Sequence, residues 1–322
     1  MTATWAYGSG MRFGLQLPNF TFGVPDGELF GRVAEYASAA EETGFHSLWV
    51  MDHFFQLPPL GGPDQPMLEA YTLLGALAAR TRSVQLGTLV TGVTYRNPAL
   101  LAKIVTTLDV ISGGRAILGL GAAWYDVEHE GLGFEFPPVK ERMDRLEEAV
   151  QICRAMFAAD HATFEGKHYA ISDARNLPRP VRPDGIPIMI GGGGEKRTLK
   201  LVAQYADACN IAGDLATIRH KIEVLHRHCA DVGRDPGDIA VTRMSTLMPT
   251  DSPQQTTDTR AFLLDAAGAE AAAGFTVGQE DEIVAELQGY IEAGVDELIF
   301  NMPLADVPTV RRAGAFLHER LA

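Results

Sequence analysis

The sequence predicts an α/β fold, a single (β/α)8 TIM barrel in which eight parallel strands close into a cylinder inside a layer of helices. Three observations predict it. Strand-like and helix-like segments alternate eight times along the 322 residues. The second strand segment is a continuous apolar run, as is typical of a strand buried on both faces. No G-x-G-x-x-G follows the first strand, where an open doubly wound sheet would be expected to carry one.

Each predicted strand is a short apolar or alternating segment that precedes a helix-like pattern. The first strand alternates, with Phe13, Leu15 and Leu17 on one face. The eight strands are predicted at residues 12–17, 47–51, 84–90, 115–121, 186–190, 208–211, 239–247 and 297–300. Because strands separated by helices run parallel with right-handed crossovers, eight such units in one chain favour a closed barrel.

The helices are predicted from apolar residues at helical spacing and from signals at their ends. The first helix has Leu29, Val33 and Ala37 on one face, and Gly44 follows it in the position that favours a left-handed residue. The third opens with Pro98, whose missing N–H is not needed in a first turn. The helices are predicted at residues 28–43, 68–80, 98–111, 140–157, 195–205, 215–232, 279–293 and 307–320.

Two segments interrupt this alternation, so we expect insertions after strands four and seven. Residues 122–139 form a loop rich in aromatic residues and prolines, and residues 163–171 have the pattern of a small hairpin. Residues 248–276 are the longest irregular stretch, and their Asp, Ser, Gln and Thr content suggests a mobile lid or insertion. We expect residues 1–11 to be a disordered lead-in and residues 12–322 to be one domain, since no linker divides them.

Composition excludes several classes of partner. The net charge is −14 and the isoelectric point is about 5.1, which argues against a nucleic-acid or anionic-membrane partner. No apolar run approaches the roughly 20 residues that span a bilayer, and the first ten residues lack the features of a signal peptide. We therefore expect a cytoplasmic protein. Its three cysteines, Cys153, Cys209 and Cys229, lack paired spacing and are expected to be buried apolar residues.

In a barrel, the loops after the strands form the active site. Asp52 and His53 follow the second strand, where an imidazole beside a carboxylate can exchange protons near neutral pH. A rim histidine satisfied by ordinary hydrogen bonds is an equally good interpretation from position alone. Phe54 and Phe55 favour a pocket here, because two adjacent aromatic side chains are not both expected to face solvent.

The fourth and fifth strands end in small residues. Gly119, Gly121 and Ala122 would let a flat ligand lie against the backbone, with Trp124 beside it. Four glycines follow the fifth strand and precede a helix, so their N–H groups suit a phosphate at the positive helix end; they are Gly191, Gly192, Gly193 and Gly194.

A metal site is the weaker interpretation of the acidic and histidine residues that follow Trp124. Glu128, His129 and Glu130 match no ligand spacing, and we expect them to lie on a solvated loop without a metal.

Taken together, these residues resemble the luciferase-like monooxygenase superfamily, and more closely its branch that uses the deazaflavin coenzyme F420. The resemblance covers residues 12–321. The segments that carry it are Trp49-Val50-Met51-Asp52-His53-Phe54, Leu86-Gly87-Thr88-Leu89-Val90-Thr91, Tyr95-Arg96-Asn97-Pro98, Gly113-Gly114-Arg115, Leu118-Gly119-Leu120-Gly121, the four glycines and Ala293-Gly294-Val295-Asp296-Glu297. Each is weak alone, but in this order at these strand ends they are specific.

The resemblance implies a cofactor ring across the barrel mouth, backed by a cis peptide bond between Leu89 and Val90. It implies that the glycine run holds the cofactor phosphate and that Asp52 and His53 face the reacting edge of the ring. His53 would then give or take the proton that accompanies hydride transfer. The cofactor contacts that it implies are Leu89, Val90, Thr91, Ala122, Gly191, Gly192, Gly193, Gly194, Ala212 and Gly213.

Two departures bear on the substrate. Some sugar-phosphate dehydrogenases of this branch have a catalytic glutamate where Trp124 stands, and a tryptophan where Leu57 stands. We therefore do not expect a sugar phosphate. A pocket lined by Phe54, Phe55, Tyr95 and Trp124 instead suggests a largely apolar small molecule.

Two other functions stay open at this point. An FMN-dependent monooxygenase, supplied with reduced flavin by a separate reductase, would share the fold and the phosphate loop. Functions of another class are a cofactor-free or metal-dependent barrel lyase or hydrolase, or a binding protein without catalysis. A lyase that forms a Schiff base would need a lysine at a strand end, and none is found there. A homodimer is expected by analogy.

Overall fold

The computed structural model describes residues 10–272 and 274–322. The expected disordered lead-in therefore lies almost entirely outside the described residues. The strands are β1 (Arg12–Leu17), β2 (Ser47–Val50), β3 (Gln85–Thr88), β4 (Thr91–Gly92), β5 (Ala116–Gly121), β6 (Ala162–Glu165), β7 (Ala170–Ala174), β8 (Ile188–Gly191), β9 (Ala208–Ile211), β10 (Ala240–Pro249), β11 (Thr276–Gly278) and β12 (Glu297–Asn301).

The helices alternate with these strands and cover most of the barrel. They are α1 (Leu29–Glu42), α2 (Ala70–Arg80), α3 (Pro98–Ser112), α4 (Asp126–Leu132), α5 (Val139–Ala158), α6 (Thr198–Tyr205), α7 (Leu215–Val232), α8 (Pro253–Ala272), α9 (Glu280–Glu292) and α10 (Val307–Leu321). No helix in the described part of the chain is long and apolar enough to cross a membrane.

Eight of the strands close into the predicted barrel. The hydrogen-bonded order is β12-β1-β2-β3-β5-β8-β9, and β10 pairs with both β9 and β12, which closes the ring. Each of these pairs is parallel. The predicted hairpin is the antiparallel pair β6–β7. The (β/α)8 prediction is therefore confirmed.

Side chains alternate between the helix layer and the barrel interior. Phe13, Leu15 and Leu17 of β1 belong to the large apolar cluster shared with the helices. A separate small cluster fills the interior and takes residues from different strands: Trp49, Ile117, Met189, Ala208, Ala240 and Ile299. The helix ends follow the sequence signals, since Asn97 caps α3 through Ala99 N, and Gly113 closes it at φ +69°.

The insertion after the seventh strand is helical, so the expectation of an irregular segment over residues 248–276 is wrong. Ser252 Oγ accepts from the N–H of Gln255, and Pro253 occupies the first turn of α8. Along this helix Thr256 and Leu263 are buried, and Gly268, with φ +77°, interrupts the helical geometry. Its apolar residues do not line one face, so hydrophobic periodicity does not reveal it.

A buried polar group lies among the interior side chains at the amino ends of the strands. Glu297 of β12 is fully buried and accepts a hydrogen bond from Ser47 Oγ. The Ser47 oxygen in turn accepts a hydrogen bond from Trp49 Nε1 at 2.6 Å. Burial raises the pKa of the Glu297 carboxyl to about 7, while the Ser47 hydroxyl and the nearby Arg12 guanidinium oppose the rise. This carboxyl therefore releases its proton at a higher pH in the folded chain than in the unfolded one.

We predict that Glu297→Gln stabilises the protein in a pH-dependent way. Below pH 4.5, the ordinary value for this group, both side chains are neutral and the free energies of unfolding are similar. Between 4.5 and about 7 the folded chain binds the extra proton, so wild-type stability falls as pH rises. Above that window the variant is more stable by roughly 3 kcal/mol in denaturant unfolding. Glu319→Gln, at an exposed position of α10, is the control. A difference in the free energy of unfolding between Glu297→Gln and wild type that does not change with pH would contradict the prediction.

Candidate functional site

A cavity opens at the carboxyl ends of the barrel strands. Its volume is about 270 Å³. We call it the mouth cavity; it is lined by Asp52, His53, Leu89, Val90, Thr91, Gly92, Tyr95, Gly121, Ala122, Ala123, Trp124, Gly191, Gly192, Asn210 and Met244. It thus takes residues from the ends of β2, β3, β5, β8 and β9 and from the middle of β10. Most of the residues predicted from the strand ends meet here.

The wall after β3 protrudes into the mouth at Leu89 and Val90. Their peptide bond is cis, as the family resemblance implies. The Val90 side chain fills the space beside the ends of β5 and β8, where a Cβ on Gly121 would stand 2.7 Å from Val90 Cγ2 and one on Gly191 2.9 Å from Cγ1. A side chain at either position would overlap Val90 unless one of them shifted. On the interior side, Gln16 Nε2 donates to the Leu89 carbonyl at 3.2 Å.

A chain of hydroxyls fixes the residues on either side of that bond. Thr88 Oγ1 and Thr91 Oγ1 are 2.7 Å apart, and Tyr71 of α2 shares a hydrogen bond with Thr91 at 2.6 Å. All three side chains are buried. The backbone around Thr91, an expected cofactor contact, is therefore held against α2.

Behind His53 lies the carboxylate of Glu128, a residue expected on a solvated loop. Glu128 is fully buried on α4, so that expectation is wrong for Glu128, and also for His129, which is equally buried. Glu128 Oε1 is 2.7 Å from His53 Nδ1 and accepts from the Tyr95 hydroxyl. Its Oε2 accepts from the N–H groups of Phe54 at 2.7 Å and Phe55 at 3.3 Å. One carboxylate thus has four hydrogen-bond partners.

The electrostatics of Glu128 follow from these donors. Burial alone would raise the pKa of its carboxyl, but the hydrogen bonds from His53 and Tyr95, together with the Phe54 N–H, lower it below the ordinary glutamate value. Glu128 is therefore ionised at neutral pH. A buried carboxylate is stable only when it is paired and hydrogen-bonded, and here both conditions hold.

His129 docks the short helix α4 onto the barrel. Its Nδ1 is 2.6 Å from the Tyr125 carbonyl and its Nε2 is 2.7 Å from Thr94 Oγ1. The ring stacks on Tyr95 with centroids 4.7 Å apart. Gly133, with φ +73°, ends the helix, and this glycine is the sequence signal that could have predicted α4.

Asp52 is occupied by an ion pair. Arg96 Nη1 donates to its Oδ2 at 2.6 Å and Arg96 Nη2 to its Oδ1 at 3.0 Å, while Nη2 also reaches Glu69 Oε1 at 2.7 Å. Burial raises the pKa of the Asp52 carboxyl, and the Arg96 guanidinium opposes that effect. Glu69 in turn caps α2 by accepting from Tyr71 N and Thr72 N. Arg96 therefore ties the residue before His53 to α2.

The four aromatic residues expected around the substrate divide into two pairs. Tyr95 and Trp124 line the mouth cavity, and the exposed Trp124 lies edge-on to His53 with ring centroids 5.6 Å apart. Phe54 and Phe55 do not line it, because their side chains pack around α4. Phe54 contacts Tyr95 and Phe134 at centroid distances of 5.0 and 5.6 Å, and Phe55 lies against Gly131.

The first two glycines of the run line the mouth cavity, and the last two lie beyond it. Gly191 and Gly192 are lining residues, and Gly192, at φ +117°, donates its N–H to the Asn210 carbonyl at 3.0 Å. Gly193 and Gly194 continue toward the start of α6, and their N–H groups have no hydrogen-bond acceptor in the described part of the chain.

Lys221 of α7 lies beside this run. A Cβ on Gly193 would be 3.7 Å from Lys221 Cε. Its ammonium pairs with Glu195 at 2.6 Å, and His220 lies 3.1 Å from the same carboxylate oxygen.

Ala212 and Gly213 follow β9 and do not line the mouth cavity. The Gly213 carbonyl accepts from Arg243 Nε at 3.2 Å. Arg243 is buried with its guanidinium 3.9 Å from the Tyr290 ring centroid. This expected cofactor contact is therefore anchored to β10 through the hydrogen bond from Arg243.

We predict that Gly121→Ala distorts the mouth and destabilises the fold. The new methyl group would overlap the Val90 side chain, and overpacking of this kind costs roughly 1–3 kcal/mol. Gly75→Ala within α2 is the matched control, since a Cβ there meets nothing within 4 Å and raises helix propensity. Thermal unfolding measures both. Equal stability of Gly121→Ala and wild type would contradict the packing described.

Comparisons with known proteins agree with this architecture. A family model described as luciferase-like monooxygenase matches residues 11–297. The chain is 31% identical over 304 residues to the F420-dependent glucose-6-phosphate dehydrogenase of Kineococcus radiotolerans, covering 86% of this chain and 88% of that protein. It is 32% identical over 198 residues to the 5,10-methylenetetrahydromethanopterin reductase of Archaeoglobus fulgidus, covering 61% and 52% of the two chains.

A solved structure shows the same fold. An F420-dependent secondary alcohol dehydrogenase, in complex with an F420-acetone adduct, superposes with a TM-score of 0.80 at 22% identity. The match covers 97% of this chain and 98% of that one. At this identity the likeness establishes the barrel and its topology.

Proposed function

The chain belongs to the luciferase-like monooxygenase family, and on that premise we propose that it is an oxidoreductase that uses coenzyme F420 to transfer a hydride to or from a small, largely apolar molecule. The observation that carries the proposal is the composition of the mouth cavity. One imidazole, that of His53, stands beside bare backbone at Gly121, Gly191 and Gly192. The F420 dependence of the curated relatives supports this choice of cofactor.

The residues present fit a flat, phosphorylated cofactor. Four lining residues, Gly121, Ala122, Gly191 and Gly192, contribute no large side chain to the cavity wall. The N–H groups of Gly193 and Gly194 lack acceptors in the described part of the chain, and both residues lie shortly before α6, whose first turn favours an anion. When bound, the deazaflavin supplies the two-electron hydride chemistry.

The chain's own residues would bind, orient and move a proton. His53 has one ring nitrogen on Glu128, which leaves Nε2 as the atom that holds or releases a proton in the cavity. Tyr95 and Trp124 would cover the reacting groups and exclude water. Asp52, with both oxygens on Arg96, would hold the segment that carries His53 in place.

The lining also bears on the substrate class. No lysine or arginine is among the described residues that line the mouth cavity. A sugar phosphate bound there would leave its dianion without a cationic partner, at a large desolvation cost. A neutral and largely apolar substrate fits the Tyr95, Trp124 and Met244 side chains better.

Titration of the purified protein with F420 and, separately, with FMN tests the cofactor. We expect a dissociation constant of about micromolar for F420 and much weaker binding of FMN, read from the change in cofactor fluorescence. Tight binding of FMN alone would replace this proposal with a flavin-dependent monooxygenase supplied by a separate reductase. We also propose, by analogy, that the chain is a homodimer.

We predict that Gly193→Ala weakens F420 binding without affecting stability. In the free protein the added Cβ makes only ordinary contacts at 3.7 Å, so the variant folds. The methyl group would nevertheless occupy the space between the glycine run and Lys221 where we place the phosphate. The expected loss of affinity is roughly tenfold or more, about 1.4 kcal/mol.

Gly31→Ala on exposed α1, where a Cβ meets nothing within 4 Å, is the control for this substitution. Unchanged F420 affinity in Gly193→Ala would place the phosphate elsewhere. A riboflavin-type analogue without a phosphate should bind wild type and Gly193→Ala equally.

We predict that His53→Ala lowers turnover by roughly 10²–10⁴-fold, the usual contribution of a general acid or base, with F420 affinity unchanged. Turnover is followed by the visible absorbance of the deazaflavin in a screen of neutral alcohols, ketones and alkenes. His226→Ala, on the exposed face of α7, is the control. Undiminished turnover in His53→Ala would remove the proton-transfer role from this residue.

A further inference from the structure

We infer that Glu128 is a positioning residue that holds the neutral His53 imidazole in the tautomer protonated on Nδ1, so that the lone pair of Nε2 faces the mouth cavity. The tautomer is inferred from the structure alone. The role of Nε2 in catalysis rests on the proposed function. Histidine tautomers are set by the hydrogen bond that the other ring nitrogen makes. At His53 that partner is Glu128 Oε1, 2.7 Å from Nδ1.

The orientation of the Glu128 carboxylate is fixed by donors that cannot change role. The backbone N–H groups of Phe54 and Phe55 both donate to Oε2, and a backbone N–H never accepts. On Oε1 the Tyr95 hydroxyl donates alongside His53 Nδ1. Because Glu128 is ionised and fully buried, it is acceptor-only, and the imidazole must present an N–H to it.

Other charged groups near the ring do not compete for this hydrogen bond. From its own segment, Asp52 uses both carboxylate oxygens on Arg96. From α2, Glu69 caps its helix and binds the same arginine. In the described part of the chain, Nε2 of His53 has no protein hydrogen-bond partner, and the side chain is 13% exposed in the cavity wall. Nε2 is therefore the nitrogen that meets a ligand.

Replacing Glu128 by glutamine inverts the tautomer. The amide oxygen must face Phe54 N and Phe55 N, since the amide NH₂ would otherwise oppose two N–H donors. The NH₂ group then points at His53 Nδ1 and donates to it. The neutral ring would move its proton to Nε2 and present an N–H, not a lone pair, to the cavity.

The experiment is a two-bond proton–nitrogen correlation spectrum of protein labelled with nitrogen-15 at histidine, recorded without cofactor at alkaline pH. The chain has nine histidines, and the signal lost in His53→Ala assigns His53. We expect the Nδ1–H pattern in wild type and the Nε2–H pattern in Glu128→Gln. Tyr95→Phe, which removes the neighbouring hydroxyl but keeps the carboxylate, should retain the wild-type tautomer. So should Glu130→Gln on the exposed face of α4.

An Nε2–H pattern in wild type overturns the inference, and so does an unchanged Nδ1–H pattern in Glu128→Gln that circular dichroism shows to be folded. If Glu128→Gln does not fold, the wild-type spectrum alone decides.

Turnover separates this inference from the proposed function. With F420 bound at unchanged affinity, Glu128→Gln should lose roughly 100-fold or more in turnover number, while Glu130→Gln should lose none. Failure of wild type to bind F420 would overturn the proposed function and leave the tautomer result standing. Full turnover by Glu128→Gln with an inverted tautomer would overturn the positioning role.

Discussion

The ionised carboxylate of Glu128, buried where water does not reach it, is the interaction on which the barrel mouth depends. It joins three parts of the chain that are distant in sequence: the segment after β2, the loop that carries Tyr95, and α4. Removing a charge from water is expensive unless donors replace the lost hydration. At Glu128, backbone N–H groups, a hydroxyl and an imidazole together replace the lost hydration. Displacing any one of the three chain segments that carry these groups would therefore leave the negative charge uncompensated.

A second constraint acts around Val90 and determines the shape of the mouth. Its side chain takes the volume that side chains at the ends of β5 and β8 would occupy, so those positions carry Gly121 and Gly191. The result is a surface of backbone and methyl groups next to the imidazole. The ion pair between Asp52 and Arg96 fixes the opposite end of the His53 segment. Rigid packing on both sides of one ring gives it the fixed position that proton transfer requires.

Much of the barrel could be predicted from the sequence because each β/α unit carries its own signals. β1, β9 and α7 have the predicted bounds, since alternation, a buried apolar run and a helical stripe are local patterns. α8 was missed because its apolar residues form no stripe.

The site could be predicted only in part. Strand-end position was enough to place His53 and Gly191 at one cavity, and the family resemblance added Val90. Glu128 was missed because its burial depends on how α4 packs, which no local pattern shows. The same packing turns Phe54 and Phe55 away from the cavity, although their sequence position suggested its wall.

Amide hydrogen exchange at Phe54 and Phe55 tests most directly whether this carboxylate organises the mouth. Both residues lie in a segment without regular secondary structure, so their amides would exchange rapidly unless an internal acceptor protects them. We predict slow exchange at both amides, comparable with that of β2, and rapid exchange in Glu128→Ala while β2 stays protected. Exchange of both wild-type amides at the rate of an open loop would contradict it.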